Sequence, residues 1–166
     1  MIEIKEVFSS QIDIYKRLIL KGLLEDEDCF RISPKDEGME EFPTSNLSDS
    51  FTIGAFHDNE LIGVASFKRE GEKREKLRHK GILFKIFVAS NFRKQGIAGR
   101  LIGEVINRVR LIEGIEQINL TVIPTNQHAK KLYEKFGFKT YAHEEKAVKW
   151  KGKYFDEDQM KLMLKK

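Results

Sequence analysis

The sequence ILFKIFV at positions 82–88 is followed directly by ASNFRKQGIAGR at 89–100, and this succession is the strongest indication of the fold. The first segment is nearly all apolar, which is typical of a central strand covered on both faces. The second contains a glycine-bearing turn and then the start of a helix near Gly96. A strand, a glycine turn and a helix in this order form a common setting for anion binding.

The turn at 93–99 has the features of a phosphate cradle. The first turn of a helix has unpaired N–H groups and the positive end of the helix dipole, and small residues such as Gly96 and Ala98 let a phosphate approach the backbone. Arg93 and Lys94 add positive charge. The segment is neither a Walker loop nor the three-glycine dinucleotide pattern. Taken alone, it is explained equally well as a helix start softened by glycine, without any ligand.

Outward from this segment, residue patterns predict strands and helices along the whole chain. Upstream, we expect a strand at 2–7, a helix from Ser10 to about Leu24, loops with at most one short helix at 25–50, a hairpin of strands at 51–56 and 61–67, and an exposed basic loop at 68–80. Downstream, we expect a long amphipathic helix at 97–112, a strand at 118–123, a helix at 126–136 ended by Gly137, and final segments at 138–149 and 154–164 around a turn near Gly152. No repeat or linker divides the chain, which predicts a single domain over 1–166.

Composition bounds the class of protein. The chain has 166 residues, of which 40% are hydrophobic and 34% charged, so we expect a globular domain with a sizeable core and not a disordered or fibrous chain. No apolar run approaches the ~18 residues that a membrane-spanning helix needs. The one cysteine, Cys29, excludes an internal disulfide framework and a thiolate zinc site. We therefore predict a cytoplasmic protein without a bound metal.

Charge is distributed unevenly along the chain. Residues 25–50, which we call the acidic segment, hold nine acidic and two basic residues and carry −7, so the rest of the chain carries +11 to give the net charge of +4. This separation suggests a polyanion held in one place and a cation in another, because such fields concentrate oppositely charged ligands. A solvated surface explains the same charges without any ligand.

Two motifs resemble those of the GNAT family of acetyl-CoA-dependent N-acetyltransferases. RKQGIA at 93–98 matches the family signature Q/R-x-x-G-x-G/A, and NQHAKKLYEKFGF at 126–138 is similar to its N-x-x-A-x-x-L-Y-x-x-x-G-F stretch. They occur in the family's order, separated by a helix and a strand of suitable length. The resemblance implies the GNAT fold, an α/β architecture whose mixed, mostly antiparallel sheet has about seven strands, is flanked by about four helices and is splayed at the cofactor site.

The resemblance also implies acetyl-CoA as the cosubstrate and assigns residues to it. The pyrophosphate would lie on the turn formed by Arg93, Lys94, Gln95, Gly96, Ile97, Ala98 and Gly99. Main-chain groups at the strand end, at Phe87 and Val88, would pair with the pantetheine arm and the acetyl carbonyl, and the Val88 N–H would stabilise the tetrahedral oxyanion. Asn126 would contact the cofactor near its sulfur, although an asparagine before a helix is also an ordinary N-cap.

Tyr133 occupies the position of the family's general acid, which would protonate the coenzyme A thiolate as it leaves. Core packing also explains an aromatic residue at this helical spacing. Many family members carry a glutamate base on the central strand, where this chain has Lys85 and Ile86. Proximity can replace that base, because deprotonating an amine near neutral pH costs about 4 kcal/mol, whereas holding two reactants together can supply ~7 to 11.

We expect direct attack by the acceptor amine in a ternary complex. An acetylated Cys29 is disfavoured, because four acids precede it and hold its proton on. By the resemblance, the acidic segment lies where the acceptor pocket is shaped, which suits a cationic acceptor such as a polyamine, an amino sugar, or a lysine-bearing or N-terminal peptide. His79, His128 and His143 are candidate bases to which we assign no role.

Two other classes of function fit part of the sequence. A nucleic-acid-binding protein would explain the basic loop at 68–80, but Phe67 is the only aromatic residue near it, which makes a stacking platform weak. A catalytically silent acyl-CoA-binding regulator would keep the cradle, whereas the presence of Asn126 and Tyr133 favours an active enzyme. We expect neither a membrane nor a nucleic acid as partner, and exposed final strands leave room for a homodimer.

Overall fold

Seven strands and four α-helices make up the residues that the computed structural model describes, 1–71 and 73–165. In chain order they are β1 (Ile2–Val7), α1 (Ile12–Glu25), α2 (Pro34–Met39), β2 (Ser50–His57), β3 (Glu60–Arg69), β4 (Lys80–Val88), α3 (Ile97–Arg110), β5 (Gln117–Val122), α4 (Gln127–Lys135), β6 (Lys139–Trp150) and β7 (Lys153–Met163). No described helix is long and apolar enough to cross a membrane.

The strands form one sheet in the order β1-β2-β3-β4-β5-β7-β6. All neighbours are antiparallel except β4 and β5, which run parallel. A parallel pair needs a crossover connection, and α3 provides it. The predicted α/β architecture with a mixed, mostly antiparallel sheet of seven strands is therefore confirmed.

β4 and β5 separate soon after they begin to pair. Their register joins Lys80 to Gln117 and Ile82 to Asn119, and no later pair is formed among the described residues, although β4 continues to Val88. We call this opening the β4–β5 gap. It is the splay that the family resemblance predicts.

A β-bulge in β4 lies beside this gap. Phe84 pairs with Ser66 and Phe87 with Val64, so two residues of β4 share the space opposite one residue of β3. One of the two, Lys85, has φ +50°, a left-handed conformation that costs a residue with a side chain ~1 to 2 kcal/mol. The bulge therefore marks the point at which β4 leaves its regular path.

Two apolar clusters cover the sheet. Leu101 and Val105 of α3 belong to one cluster, together with Tyr133 of α4 and residues of β2 to β5 and β7. Tyr15 and Ile19 of α1 belong to the other cluster. Its strand residues alternate with those of the first cluster, so it lies on the opposite face of the sheet. Burying each large apolar side chain contributes ~1.5 to 3 kcal/mol, so helices packed on both faces stabilise the sheet.

The predicted exposed loop at 68–80 is shorter in the structure, because β3 continues to Arg69. The Arg69 guanidinium donates to Asp49 at 2.9 Å and to the carbonyl oxygens of Arg78 and Glu113 at 2.6 and 2.9 Å. Glu72, within the predicted loop, lies outside the described residues. Arg69, a basic residue of the predicted loop, thus forms hydrogen bonds within the protein and is not available to a ligand. A count of charges does not reveal this.

Candidate functional site

The turn at 93–99 joins the end of β4 to the start of α3. Gly96 is the N-cap of α3 with φ +74°, and Lys94 has φ +62°, so two left-handed residues bend the backbone here. The first intrahelical hydrogen bond runs from the Arg100 N–H to the Gly96 carbonyl at 3.1 Å. The N–H groups of residues 97–99 precede that bond and have no acceptor within the helix. They lie at the positive end of the helix dipole.

This cradle is open on its outer side and anchored underneath. A Cβ placed on Gly96 would meet no atom within 4 Å, which leaves room for a ligand against this peptide. Lys94, Gln95 and Gly96 are exposed, whereas Ile97 is buried and fixes the start of α3 in the core. Main-chain donors with no side chain in front of them are the arrangement that binds an anion.

The helix that carries the second motif packs beside the cradle. A Cβ on Gly99 would lie 3.9 Å from Leu132, and one on Gly103 would lie 3.8 Å from Phe136. Small residues on α3 thus let α4 run close alongside it. The two motifs, 27 or more residues apart in the chain, meet in the fold.

The Arg93 side chain braces the end of β4. Its Nε donates to the Val88 carbonyl at 3.0 Å, its guanidinium pairs with Asp26, and its Cζ lies 5.5 Å from the ring centroid of Phe87. The charge that the sequence predicts for the cradle is therefore shared with the acidic segment. Lys94 has no ion pair with any described residue, so its positive charge is available to a ligand at this turn.

The main chain of Val88 faces the β4–β5 gap. The Ala89 N–H donates to the Ile62 carbonyl at 2.8 Å, and antiparallel ladders alternate between bonded and non-bonded pairs. The next pair, Gly63 and Val88, is therefore non-bonded, and the Val88 N–H and C=O point away from β3. Phe87 falls on a bonded pair, so its main chain is turned to β3. Of the two predicted strand-end residues, Val88 is the one that presents main-chain groups to the gap.

Tyr133 is buried beneath α4, with 7% of its surface exposed. Its ring packs edge-on against Phe138, with the centroids 6.1 Å apart. Burial raises the pKa of the hydroxyl above its ordinary value, and no described residue forms a hydrogen bond with it. The core-packing alternative and the proton-donor role are thus compatible, because the ring is anchored while the hydroxyl stays protonated and without a protein partner.

Asn126 caps the start of α4. Its Oδ1 accepts the Ala129 N–H at 3.3 Å, and its own N–H donates to the Ile123 carbonyl at 2.9 Å. The N-cap alternative is therefore confirmed. The cap uses the side-chain oxygen and leaves the side-chain nitrogen for another contact.

The acidic segment is largely neutralised by bases from the rest of the chain. Five of its nine acids form ion pairs: Asp26 with Arg93, Glu27 with Lys151 at 3.0 Å, Glu37 with Lys85 at 3.2 Å, Glu40 also with Lys85, and Asp49 with Arg69 at 2.9 Å. These pairs hold the segment against the sheet. The field that the segment presents to a ligand is accordingly weaker than the sequence count of −7 suggests.

The pair of Lys85 and Glu37 is buried beside the bulge. Burial raises the pKa of Glu37, and the Lys85 ammonium opposes that rise. The Tyr15 hydroxyl is buried nearby, and its pKa is raised by burial first and by the charges of Glu37 and Glu40 second. Many family members carry a glutamate base at this part of the central strand. Here the position holds Lys85, which forms ion pairs with Glu37 and Glu40.

A cavity of about 310 Å³ lies between the acidic segment and the hairpin of β6 and β7. Its wall includes Phe30 on one side and Trp150 on the other, and Lys151 in the hairpin donates to Glu27 at 3.0 Å. The Phe30 ring lies 6.0 Å from the ring of Phe87. The cavity therefore adjoins the end of β4, on the face that α1 covers.

Glu157 of β7 is a buried carboxylate that the sequence did not single out. Only 2% of its side chain is exposed, and Arg31 Nε lies 2.8 Å from its Oε2. Burial raises the pKa of Glu157, and Arg31 opposes that rise. Its neighbour Asp158 pairs instead with Lys130 of α4 at 2.7 Å. In sequence, DED at 156–158 resembles a solvated run, because only the placement of β7 among its neighbours decides which acids are buried.

His143 and Cys29 both lie near acidic side chains. His143 lies 2.6 Å from Asp158 and 3.2 Å from Asp156, and the hydrogen bond with Asp158 raises its pKa. Partial burial raises the pKa of the Cys29 thiol, and nearby acids raise it further, in the direction that the sequence predicts. The described residues contain no group of three or more side chains able to hold a metal ion.

The family model for the Acetyltransferase (GNAT) family matches residues 20–138. No curated protein matches the chain significantly. Similar solved structures include a GNAT-family acetyltransferase from Streptococcus pneumoniae, with 20% identity and a TM-score of 0.79 over 99% of this chain and 100% of that one. The protein yncA from Salmonella typhimurium, solved with its cofactor acetyl-CoA, has 14% identity and a TM-score of 0.81 over 100% and 95%. NAA60 from Arabidopsis thaliana, solved with a bisubstrate analogue, has 22% identity and a TM-score of 0.73 over 98% of each chain.

Proposed function

The chain belongs to the GNAT acetyltransferase family, and from this premise we propose that it transfers the acetyl group of acetyl-CoA to a primary amine by direct attack in a ternary complex. The observation that carries the proposal is that an open helix start adjoins a strand end at which the Val88 N–H has no strand partner. The cradle at 93–99 follows Val88 closely in the chain, and the hydrogen bond from Arg93 joins the two. An anion site and an oxyanion donor at one end of the β4–β5 gap are what the reaction requires.

The cradle suits the pyrophosphate of acetyl-CoA. The main chain after Arg93, at Lys94, Gln95, Gly96, Ala98 and Gly99, supplies donors, whereas the Arg93 N–H already donates to the Ser90 carbonyl. The open space at Gly96 admits the phosphate oxygens. Lys94 adds a free positive charge, and Ile97 anchors the turn from below. Substitutions that fill the open space will therefore weaken binding more than substitutions that remove one charge.

The β4–β5 gap suits the pantetheine arm and the acetyl group. Val88 offers its main-chain N–H to an extended arm or to the acetyl carbonyl, while its own carbonyl already accepts from Arg93 Nε. The buried side chain of Phe87 forms part of the wall, and Asn126 stands at the start of α4, where we place its contact near the sulfur. The Val88 N–H stabilises the oxyanion as the amine nitrogen attacks the thioester carbon.

Tyr133 is the proposed general acid. As the nitrogen–carbon bond forms and the carbon–sulfur bond breaks, its hydroxyl gives a proton to the leaving thiolate. Burial raises the pKa of the hydroxyl, and the same surroundings raise the proton affinity of a thiolate formed beside it. Burial thus shifts the proton affinity of both groups in the same direction, and the hydroxyl keeps the proton that it is to donate.

The acceptor is a cationic amine, either a small molecule or an amino group of a peptide, that enters through the cavity beside Phe30. The test is calorimetry with acetyl-CoA, followed by free-thiol release with polyamines, amino sugars, amino acids and lysine or N-terminal peptides. Release with one class supports the proposal and names the acceptor. Tight binding without turnover on any amine would favour a silent acyl-CoA-binding regulator, and salt-dependent DNA binding without acetyl-CoA binding would favour a nucleic-acid-binding protein.

A further inference from the structure

Glu157 is deeply buried, whereas its ion-pair partner, Arg31, is largely exposed to solvent. Its side chain is 2% exposed, whereas that of Arg31, the base beside it, is 66% exposed. No described N–H is aligned to donate a hydrogen bond to Glu157 Oε2, although Arg31 Nε lies 2.8 Å away. A buried carboxylate whose one nearby cation is largely exposed to solvent is unusual among the described residues, because removing a carboxylate from water costs several kcal/mol unless a cation replaces the lost hydration.

The register of the sheet places Glu157 across the β4–β5 gap from the end of β4. Ile82 pairs with Asn119 and Asn119 with Lys161, and the last pair of β5 joins Val122 to Asp158. Glu157 is the next residue along β7, just beyond the end of β5. At the same level, about four residues beyond Ile82, β4 is at its bulge, close to Val88.

Glu157 also faces the acceptor side of the sheet. Successive side chains of a strand point to opposite faces, and Asp158 contacts Lys130 of α4. Glu157 therefore points to the face where Arg31 lies, next to Phe30 in the chain. Arg31 lines the 310 Å³ cavity, and the Phe30 ring adjoins Phe87. The carboxylate thus stands behind Arg31, between the cavity and the gap.

We propose that Glu157 binds the ammonium group of the acceptor and takes its proton, and that Arg31 covers the carboxylate when no acceptor is present. This inference rests on the proposed function and names the residue that the acceptor meets. Glu37, the other deeply buried glutamate of this face, is held by Lys85 and is not free for the same task.

The proton steps balance as follows. Glu157 accepts one proton from the ammonium, and the freed amine forms the nitrogen–carbon bond while the carbon–sulfur bond breaks and Tyr133 protonates the thiolate. The nitrogen loses a second proton as the amide forms. Of the two protons released from nitrogen, one restores Tyr133 and the other passes to water, so the products are the amide, the thiol and one proton.

The charges around Glu157 suit a base. The charged groups that face it are Arg31 and Glu144, its cross-strand partner on β6. Burial raises the pKa of Glu157, Glu144 raises it further and Arg31 lowers it. A raised pKa brings the carboxylate closer to the operating pH, where a general base is most efficient.

The test compares Glu157→Gln with Glu145→Gln, an exposed residue of β6, by measuring kcat/KM against pH. The acceptor is the most active of spermidine, glucosamine and a lysine-containing peptide. In the wild type, kcat/KM rises with increasing pH and reaches a plateau at a pH below the pKa of the amine. In Glu157→Gln it falls ~10²- to 10⁴-fold at pH 7 and then rises about tenfold per pH unit, because only the neutral amine reacts. Glu145→Gln follows the wild type, and acetyl-CoA affinity is unchanged in both variants.

A second variant, Arg31→Gln, tests the same group without removing it. Loss of the guanidinium raises the pKa of Glu157, so the acid limb of kcat/KM moves to higher pH. If both variants keep the wild-type plateau and limb, Glu157 is not the base, while the transferase function stands. If the wild type itself releases no thiol with any amine, the proposed function fails and this inference with it.

Discussion

Arg93 Nε donates to the carbonyl oxygen of Val88 at 3.0 Å, so the first residue of the cradle holds the last residue of β4. The Val88 carbonyl lies on the side of β4 that faces the β4–β5 gap. The bond therefore fixes the residue whose N–H we propose as the oxyanion donor. It links the turn that we propose binds the pyrophosphate to the strand end at which we propose the reaction takes place.

Arg93→Met will slow turnover more than it weakens acetyl-CoA binding. The cradle donors are main-chain groups and remain, whereas the brace on Val88 is lost. Because hydrogen bonds from charged groups contribute ~1.5 to 3 kcal/mol, we expect stability to fall by up to that amount and kcat to fall at least tenfold. Arg110→Met, an exposed arginine at the end of α3, is the control. Weaker acetyl-CoA binding with an unchanged kcat would contradict this role.

Gly96→Glu will abolish acetyl-CoA binding, because it puts bulk and negative charge where we propose that the pyrophosphate lies. Gly152, in the turn between β6 and β7, is a matched control, since it has φ +77° and equally open space around its Cβ position. Both substitutions carry the same left-handed strain of ~1 to 2 kcal/mol. Calorimetry should therefore find binding lost in Gly96→Glu and kept in Gly152→Glu. Equal affinities would remove the cradle assignment.

Tyr133→Phe will lower kcat with little change in acetyl-CoA affinity. The ring and its packing on Phe138 are kept, and the hydroxyl has no described protein partner to lose, so the unfolding free energy should change by less than about 1 kcal/mol. Tyr15→Phe, another buried tyrosine on the opposite face, should keep turnover within about twofold. A parallel loss of kcat and affinity in Tyr133→Phe would mean that Tyr133 is only structural.

Lys85→Met will destabilise the fold in a pH-dependent way. Removing one partner of a buried ion pair costs about 3 kcal/mol, here because Glu37 would be left as an uncompensated buried charge. The folded pKa of Glu37 is already raised, and a raised carboxyl pKa means that stability falls as pH rises above the unfolded value. Urea unfolding should thus find a larger loss at pH 7 than at pH 5. The double variant with Glu37→Gln should recover most of it, and a loss independent of pH would contradict the pairing.

Most of the fold and the strand–turn–helix geometry of the cradle could be predicted from the sequence, because the patterns that indicate them are local. Strand, turn and helix at 82–100 follow from apolar pattern and glycine, and the N-cap role of Asn126 follows from its place before α4. The splay came only from the resemblance of two motifs, since no local pattern states where β4 and β5 stop pairing.

The partners of the charged residues could not be predicted. Arg93 meets Asp26, 67 residues away, and Lys85 meets Glu37, 48 residues away. Such pairs depend on how helices and strands meet, and charge counting treats all of these residues as solvated surface. Glu157 was missed for the same reason, because its burial depends on where β5 ends beside β7.

The most direct test follows the acetyl carbon itself. Wild-type protein is incubated with acetyl-CoA labelled with ¹³C at the carbonyl and with the most active amine, and free thiol and labelled amide are measured together. We predict that thiol and labelled amide form in equal amounts, and that both fall together in Tyr133→Phe. Labelled acetate without amide, or no release with any amine, would contradict the assignment as an N-acetyltransferase.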